Sequence, residues 1–396
     1  VRTIVIRFGI LGLTLEALWL ALRRLGDWRT AIPETVALLL ALSIVYLIAV
    51  RCGSVDPPPR AMVAFFALAF RFTVVGQPPS LSDDLFRYQW EGRAIRAGGN
   101  PYLARPNDPA WAHIPADARA PGRDFPSVYG PLAQYAQALA VEYPKLPAIA
   151  ADGATLAVLA YAAPARWLIY AWSPLAVVEF WGQGHNDAWL VLFLTLALVR
   201  TGLAGWWIGL AVAVKWWPAI LVRALRLNLR QTAIAFGVVA ALALPFLAGF
   251  RYDNARFATG FLAGWRNNDS VFGAILWATG DPQLAKYVAF AAVAALAAFV
   301  RDPLWIVAGL LAVSANVHPW YLTWLLPFLV FRPVPALLLW IALAPLGYET
   351  VIRWTALGEW RQSEWVRWAI YAPVAVVLAV SAVRKSRLTA PRASLE

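Results

Sequence analysis

The sequence predicts an all-α polytopic integral membrane protein, a bundle of about 12 transmembrane helices in a single domain spanning residues 1–396. Three observations carry that reading. The chain is 61% hydrophobic and only 14% charged, with a mean hydropathy of +0.60. Apolar runs such as 36–50, 232–250 and 285–300 recur along it. Its basic residues gather in short clusters where those runs end.

The first apolar segment, 4–22, is too long for a signal-peptide core and ends in Arg23-Arg24 rather than small residues, so it reads as a span. Segments 31–50 and 61–76 follow and deliver residues 77–148 to the far side as the one large loop, the expected catalytic loop. Within it, 85–97 is helix-compatible. The X-Pro pairs at Pro101, Pro106, Pro109, Pro115 and Pro121 rule out one long helix, and 131–142 is apolar but too short to cross, so it is expected as an interfacial helix. Further spans are expected near 148–163, 166–182, 187–200, 232–250, 284–300, 304–317, 320–331, 334–348 and 366–383. Residues 202–227 carry Lys215-Trp216-Trp217-Pro218 as a break and are read as two half-helices that return to the side they left.

The net charge of +12 comes from dispersed clusters at segment ends, which argues against nucleic acid and for a bilayer with its positive side inward. Arg223, Arg226 and Arg230, with Arg384, Lys385, Arg387 and Arg392, mark the cytoplasmic side. One cysteine, Cys52, allows no internal disulfide and no Cys-Cys redox pair, and with three histidines the chain suggests no metal centre.

On this trace three polar motifs reach one outer face: Asp83-Asp84, Gly184-His185-Asn186-Asp187, and His318-Pro319-Trp320-Tyr321. Convergence of polar groups from distant segments is how an active site is assembled on rigid elements. Each motif also has a plainer explanation. Asp83-Asp84 and Asn186-Asp187 both precede helical segments and suit helix capping, and Trp320 and Tyr321 suit an interfacial aromatic belt. If 84–97 is helical, Asp84, Tyr88 and Glu91 share one face and Asp83, Arg87 and Trp90 the next. Lys215 lies in an apolar stretch, where an unpaired ammonium costs roughly 2.5–3.5 kcal/mol, so it needs a partner. A lipid phosphate or a structural pair with Asp152 or Glu179 would serve equally.

The ordered set Ser82-Asp83-Asp84, Arg87-Tyr88, Trp90-Glu91-Gly92-Arg93, Asn100-Pro101-Tyr102, Pro126-Ser127-Val128-Tyr129-Gly130-Pro131, Gly184-His185-Asn186-Asp187, Lys215 with Pro218, and His318-Pro319-Trp320-Tyr321 resembles the bacterial polyprenyl-phosphate-mannose-dependent mannosyltransferases of the GT-C superfamily. Glu91 stands where Asp is usual. The resemblance implies an all-helical enzyme of the bacterial inner membrane, acting on the extracytoplasmic face without a cofactor. It would move a sugar from a polyprenyl-phosphate carrier to a glycan, glycolipid or protein acceptor, with inversion. It also implies a carboxylate base at Asp84 or Asp83, with Asp84 favoured, and Asp83 then orienting a hydroxyl or capping the helix. Arg87, Arg93, Lys215 and His318 are candidates to neutralise phosphate, and Tyr102, Tyr129 and Tyr321 to contact sugar. His185, Asn186 and Asp187 would touch substrate. A lipid-linked sugar transporter or flippase is the competing expectation; it explains a helical bundle but not a large outer loop.

Overall fold

The computed structural model describes residues 2–249 and 266–389, the side chains of 385–389 excepted, and it is all-helical. Phe250 at the end of an expected span, and the side chains of Lys385, Arg387 and Arg392 in the basic tail, lie outside the described part.

The first half builds α1 (Arg2–Arg24), α2 (Ile32–Gly53), α3 (Arg60–Val74), α4 (Asp84–Arg96), α5 (Pro131–Leu139) and α6 (Leu146–Ala162). Local chemistry sets the breaks. Gly26 takes a left-handed φ of +71° after α1, and the Asp27 carboxylate then accepts the Arg29 N–H at 3.0 Å to start the next turn. The Asp56-Pro57-Pro58-Pro59 run separates α2 from α3. The helix expected over 85–97 is α4, and the one expected over 131–142 is α5, which stops at Leu139, three residues short of the expected end.

Six helices among the described residues are long and apolar enough to cross a membrane, Arg2–Arg24, Trp28–Gly53, Leu229–Gly249, Pro282–Phe299, Pro335–Leu357 and Glu364–Arg384, or seven if the bent pair Asp187–Val199 and Thr201–Val214 is one span, fewer than the twelve expected. Proline is a physical reason for the shortfall, since each one removes an N–H donor and interrupts the helical ladder. The segment expected at 166–182 is α7 (Leu168–Ala171), α8 (Pro174–Ala176) and a π turn, Val177–Gly182. The one expected at 320–331 opens as a 3-10 helix, Pro319–Leu325, before Leu326–Phe331.

The segment before and through residues 202–227 organises the site. Helix α9 (Asp187–Val199) and the following helix are bent by 119° across the Arg200 turn. Helix α10 (Ala204–Val214) therefore climbs back beside α9, and Lys215 arrives level with Asp187. The break at Lys215 is present, but the second half is a single 3-10 turn, Trp217–Leu221, rather than a half-helix. The chain then returns to its starting depth: Gln231, in the first turn of α11 (Leu229–Ala243), donates to the Thr201 carbonyl at 2.9 Å. Deep in the bundle, Arg71 of α3 holds Asp152 of α6 at 2.5 Å, both fully buried, and Tyr170 and Trp181 satisfy the remaining carboxylate positions.

Candidate active site

Helix α4 is docked at both ends of its exposed side. Asp83, just before it, makes no capping bond; instead its Oδ1 accepts from Arg29 at 2.6 Å and from Arg119 at 2.8 Å. Asp83 thus ties the α1–α2 turn and the loop after α4 to the start of the helix. The capping duty falls to Ser82, whose Oγ accepts the Asp84 N–H at 3.2 Å. Two turns along, Gly92 lets α4 meet the Gln137 carbonyl of α5, where any Cβ would collide. Arg87 is spent on Glu91 (2.7 Å) and on the carbonyls of Gly122 and Phe125, both 2.8 Å away, while Glu91 also accepts from Gln134 at 3.0 Å. Arg93 donates to the Pro115 carbonyl at 3.0 Å. Arg87 and Arg93 therefore brace the Pro-rich loop.

Asp84 differs from its neighbour. Its carboxylate accepts no protein hydrogen bond among the described residues, its side chain is 23% exposed, and its Oδ2 lies 4.0 Å from His185 Nε2. His185 sits in the connection ahead of α9, and its Nδ1 is 2.8 Å from the Glu179 carboxylate, itself bound by the Tyr348 hydroxyl. The pairing depends on backbone geometry: the π turn carries Glu179, and Gly184 at φ +79° folds the chain back between Leu85 and Lys145. The imidazole of His185 stacks on Trp320 at 4.2 Å, and His318 stacks on the indole's other face, also at 4.2 Å.

The electrostatics follow from this packing. Burial raises the Asp84 carboxyl above its ordinary range, with Asp187 and Asp83 adding to the rise and His185 and Lys215 opposing it. Burial disfavours the His185 imidazolium, but the Glu179 bond and the charges of Glu179, Asp84 and Asp187 outweigh it, leaving the group raised. His318 has no carboxylate beside it among the described residues; burial, with His185 and Lys215, pushes it down to about 3, so it is neutral.

Asp187 accepts Lys215 Nζ at 2.8 and 3.0 Å and the Trp324 indole N–H at 2.5 Å. Lys215 therefore pairs with neither Asp152, which belongs to Arg71, nor Glu179, which belongs to His185 and Tyr348. The ammonium also lies over the rings of Tyr321 (4.7 Å) and Trp324 (5.2 Å). Asn186 precedes α9 without capping it, and its buried Nδ2 has no hydrogen-bond partner among the described residues.

Tyr129 reaches the same place through Gly130, whose N–H donates to the Val214 carbonyl at 2.9 Å at the end of α10. Tyr88 meets Tyr129 edge-on at 5.0 Å. Tyr102 donates to the Tyr129 carbonyl at 2.8 Å. His318 is engaged by Asn316 (2.9 Å) and Asn267 (3.4 Å).

Of the residues singled out in the sequence, Asp84, Tyr88, Tyr129, His185, Asp187, Lys215, His318 and Tyr321 form one connected cluster, with Asn186 next to it in the chain. Asp83, Arg87, Glu91 and Arg93 lie in the scaffold of α4. Trp320, Trp324, Tyr348 and Asn267 join the cluster without having been chosen, and Glu179 enters as the partner of histidine rather than of lysine. Only Trp320 carried a local signal, its place in the His-Pro-Trp-Tyr motif. No family model, curated protein or solved structure matches the chain.

Proposed function

We propose that the chain is a membrane glycosyltransferase that moves a sugar, mannose as the first candidate, from a polyprenyl-phosphate carrier to an acceptor hydroxyl on the extracytoplasmic face. The observation that best supports this reading is the contrast between three carboxylates. Asp83 accepts from two arginines, Asp187 from a lysine and an indole, and Asp84 from no protein donor among the described residues. A partly exposed carboxylate with a raised pKa and no competing donor is suited to take a proton from a hydroxyl.

In this reading the acceptor hydroxyl gives its proton to Asp84 as its oxygen bonds to the anomeric carbon. The bond from that carbon to the phosphate oxygen breaks, its electron pair leaves on the polyprenyl phosphate, and one displacement inverts the centre. The leaving group is already a phosphate, so it needs no general acid; charge growing on it is met by Lys215. Tyr129 and Tyr321 offer hydroxyls to a sugar. Acceptors of this kind include a glycan, a glycolipid or a protein.

The test is incubation of the purified protein in lipid nanodiscs with polyprenyl-phosphate mannose and a panel of acceptors. Release of polyprenyl phosphate together with a new glycosidic product is expected. In sealed vesicles, translocation of the intact donor without bond cleavage would favour the flippase instead.

A further inference from the structure

The cluster contains a charged device that the transfer reaction does not by itself require. His185 has one nitrogen committed to Glu179 at 2.8 Å, while the other, Nε2, is buried without a hydrogen-bond partner among the described residues and faces Asp84 Oδ2 across 4.0 Å. If the ring were neutral with its proton on Nδ1, an Nε2 lone pair would face a carboxylate oxygen across 4.0 Å. Protonation turns that opposition into attraction. The indole face of Trp320, stacked on the ring at 4.2 Å, favours a cation in the same place. The group behind Trp320, His318, is held neutral and does not compete for the charge.

We propose that Glu179 and Trp320 hold His185 as an imidazolium whose Nε2–H is aimed at Asp84, making His185 a positioning residue that keeps the Asp84 carboxylate ionised and oriented. The catalytic half of this proposal rests on Asp84 being the base. The groups facing the pair from the surrounding elements can be named. Glu179 on the π turn, with Tyr348 behind it, favours the imidazolium, as does Asp187 at the start of α9. Lys215 at the end of α10 supports an ionised Asp84, whereas Asp83 and Asp187 oppose that ionisation. Lys145 packs against Gly184 one residue away and turns its ammonium to the Val75 and Gln77 carbonyls. His185 is the cation in hydrogen-bond reach of Glu179 and closest to Asp84, so removing its charge is expected to change Asp84 most.

The chain has three histidines, which makes ring-nitrogen NMR of the full-length, 15N-histidine-labelled protein tractable. Subtracting the spectrum of His185→Gln identifies the residue. At pH 7.5 both nitrogens of His185 are expected to carry protons, and Glu179→Gln should lower the midpoint of its titration by about one unit or more. A neutral His185 in the wild type at that pH overturns the proposal, whether or not the protein transfers sugar.

The positioning role is read from the pH dependence of kcat/KM. In His185→Gln and Glu179→Gln the acid limb should move up by about one unit, with activity regained at higher pH. A lower plateau with an unmoved limb means a structural role only and sinks the positioning claim. An imidazolium in a wild type that transfers no sugar from any donor leaves the charged device standing and removes the transferase reading.

Discussion

Lys215 and Asp187 close the two ends of the α9–α10 hairpin, the ammonium lying 2.8 and 3.0 Å from the two carboxylate oxygens. Asp187 is fully buried and Lys215 nearly so, at 16%. This pair fixes where α10 stops, and through the Gly130–Val214 hydrogen bond it fixes where Tyr129 stands relative to Asp84.

Lys215→Met should therefore destabilise the protein as well as weaken donor binding. It strands a buried carboxylate, at a cost on the order of 3–5 kcal/mol. Adding Asp187→Leu should restore much of the thermal stability without restoring affinity for polyprenyl-phosphate mannose. If the double variant binds donor like the wild type, the lysine serves only to pair Asp187.

Asp84→Asn should lower turnover by about a hundredfold to ten-thousandfold while leaving thermal unfolding nearly unchanged, because the amide keeps the shape but cannot take the proton. Asp83→Asn should do the reverse. It weakens charge-assisted hydrogen bonds to Arg29 and Arg119, each worth about 1.5–3 kcal/mol, and should show chiefly as a lower melting temperature. A loss of only a few-fold in Asp84→Asn contradicts its assignment as base.

The pH profile of kcat/KM should fall on the acid side with a midpoint above the ordinary aspartate value of about 3.9. Burial raises the Asp84 carboxyl, the ionised form is the active one, and activity is lost as pH drops through the raised value. A midpoint at or below about 4 would mean that another group limits the reaction.

In a Cys52→Ala background, a cysteine at exposed position 113 should react with an impermeant maleimide in intact cells. One at Gly202, in the exposed Arg200 turn at the other end of the hairpin, should react only after permeabilisation. Both sites reacting in intact cells, or the reverse pattern, would defeat the proposed orientation.

Much of this arrangement was readable from local pattern. Helix α4 begins one residue before its expected start and ends one before its expected end, and the chain breaks at Lys215 as Lys-Trp-Trp-Pro suggests. The partners of the buried charges were not readable. Lys215 finds Asp187 only because the Arg200 turn bends the chain by 119°, an angle that no motif announces. Glu179 finds His185, six residues on, through a π turn, a spacing that neither the helical nor the strand period anticipates. Trp320 looked like one more tryptophan of an interfacial belt; its stacking between two histidines depends on the 3-10 start of its helix. Fewer long helices stand in the fold than apolar stretches in the sequence for a related reason, since hydropathy registers the apolar stretch and not the prolines that divide it.

The prolines have a consequence for how the protein meets its bilayer. Most of the long helices, α1 and Glu364–Arg384 among them, are largely exposed and must follow the thickness of the lipid around them by tilting. The elements that carry Glu179, Asp187, Lys215 and His318 are short, interrupted and mostly interior, and they are fastened to one another by ion pairs and stacked rings. Thickening or thinning the membrane strains the outer helices first. The reactive groups keep their spacing like a gimballed instrument inside a rocking frame, and turnover should stay nearly level across a series of phosphatidylcholines of increasing chain length.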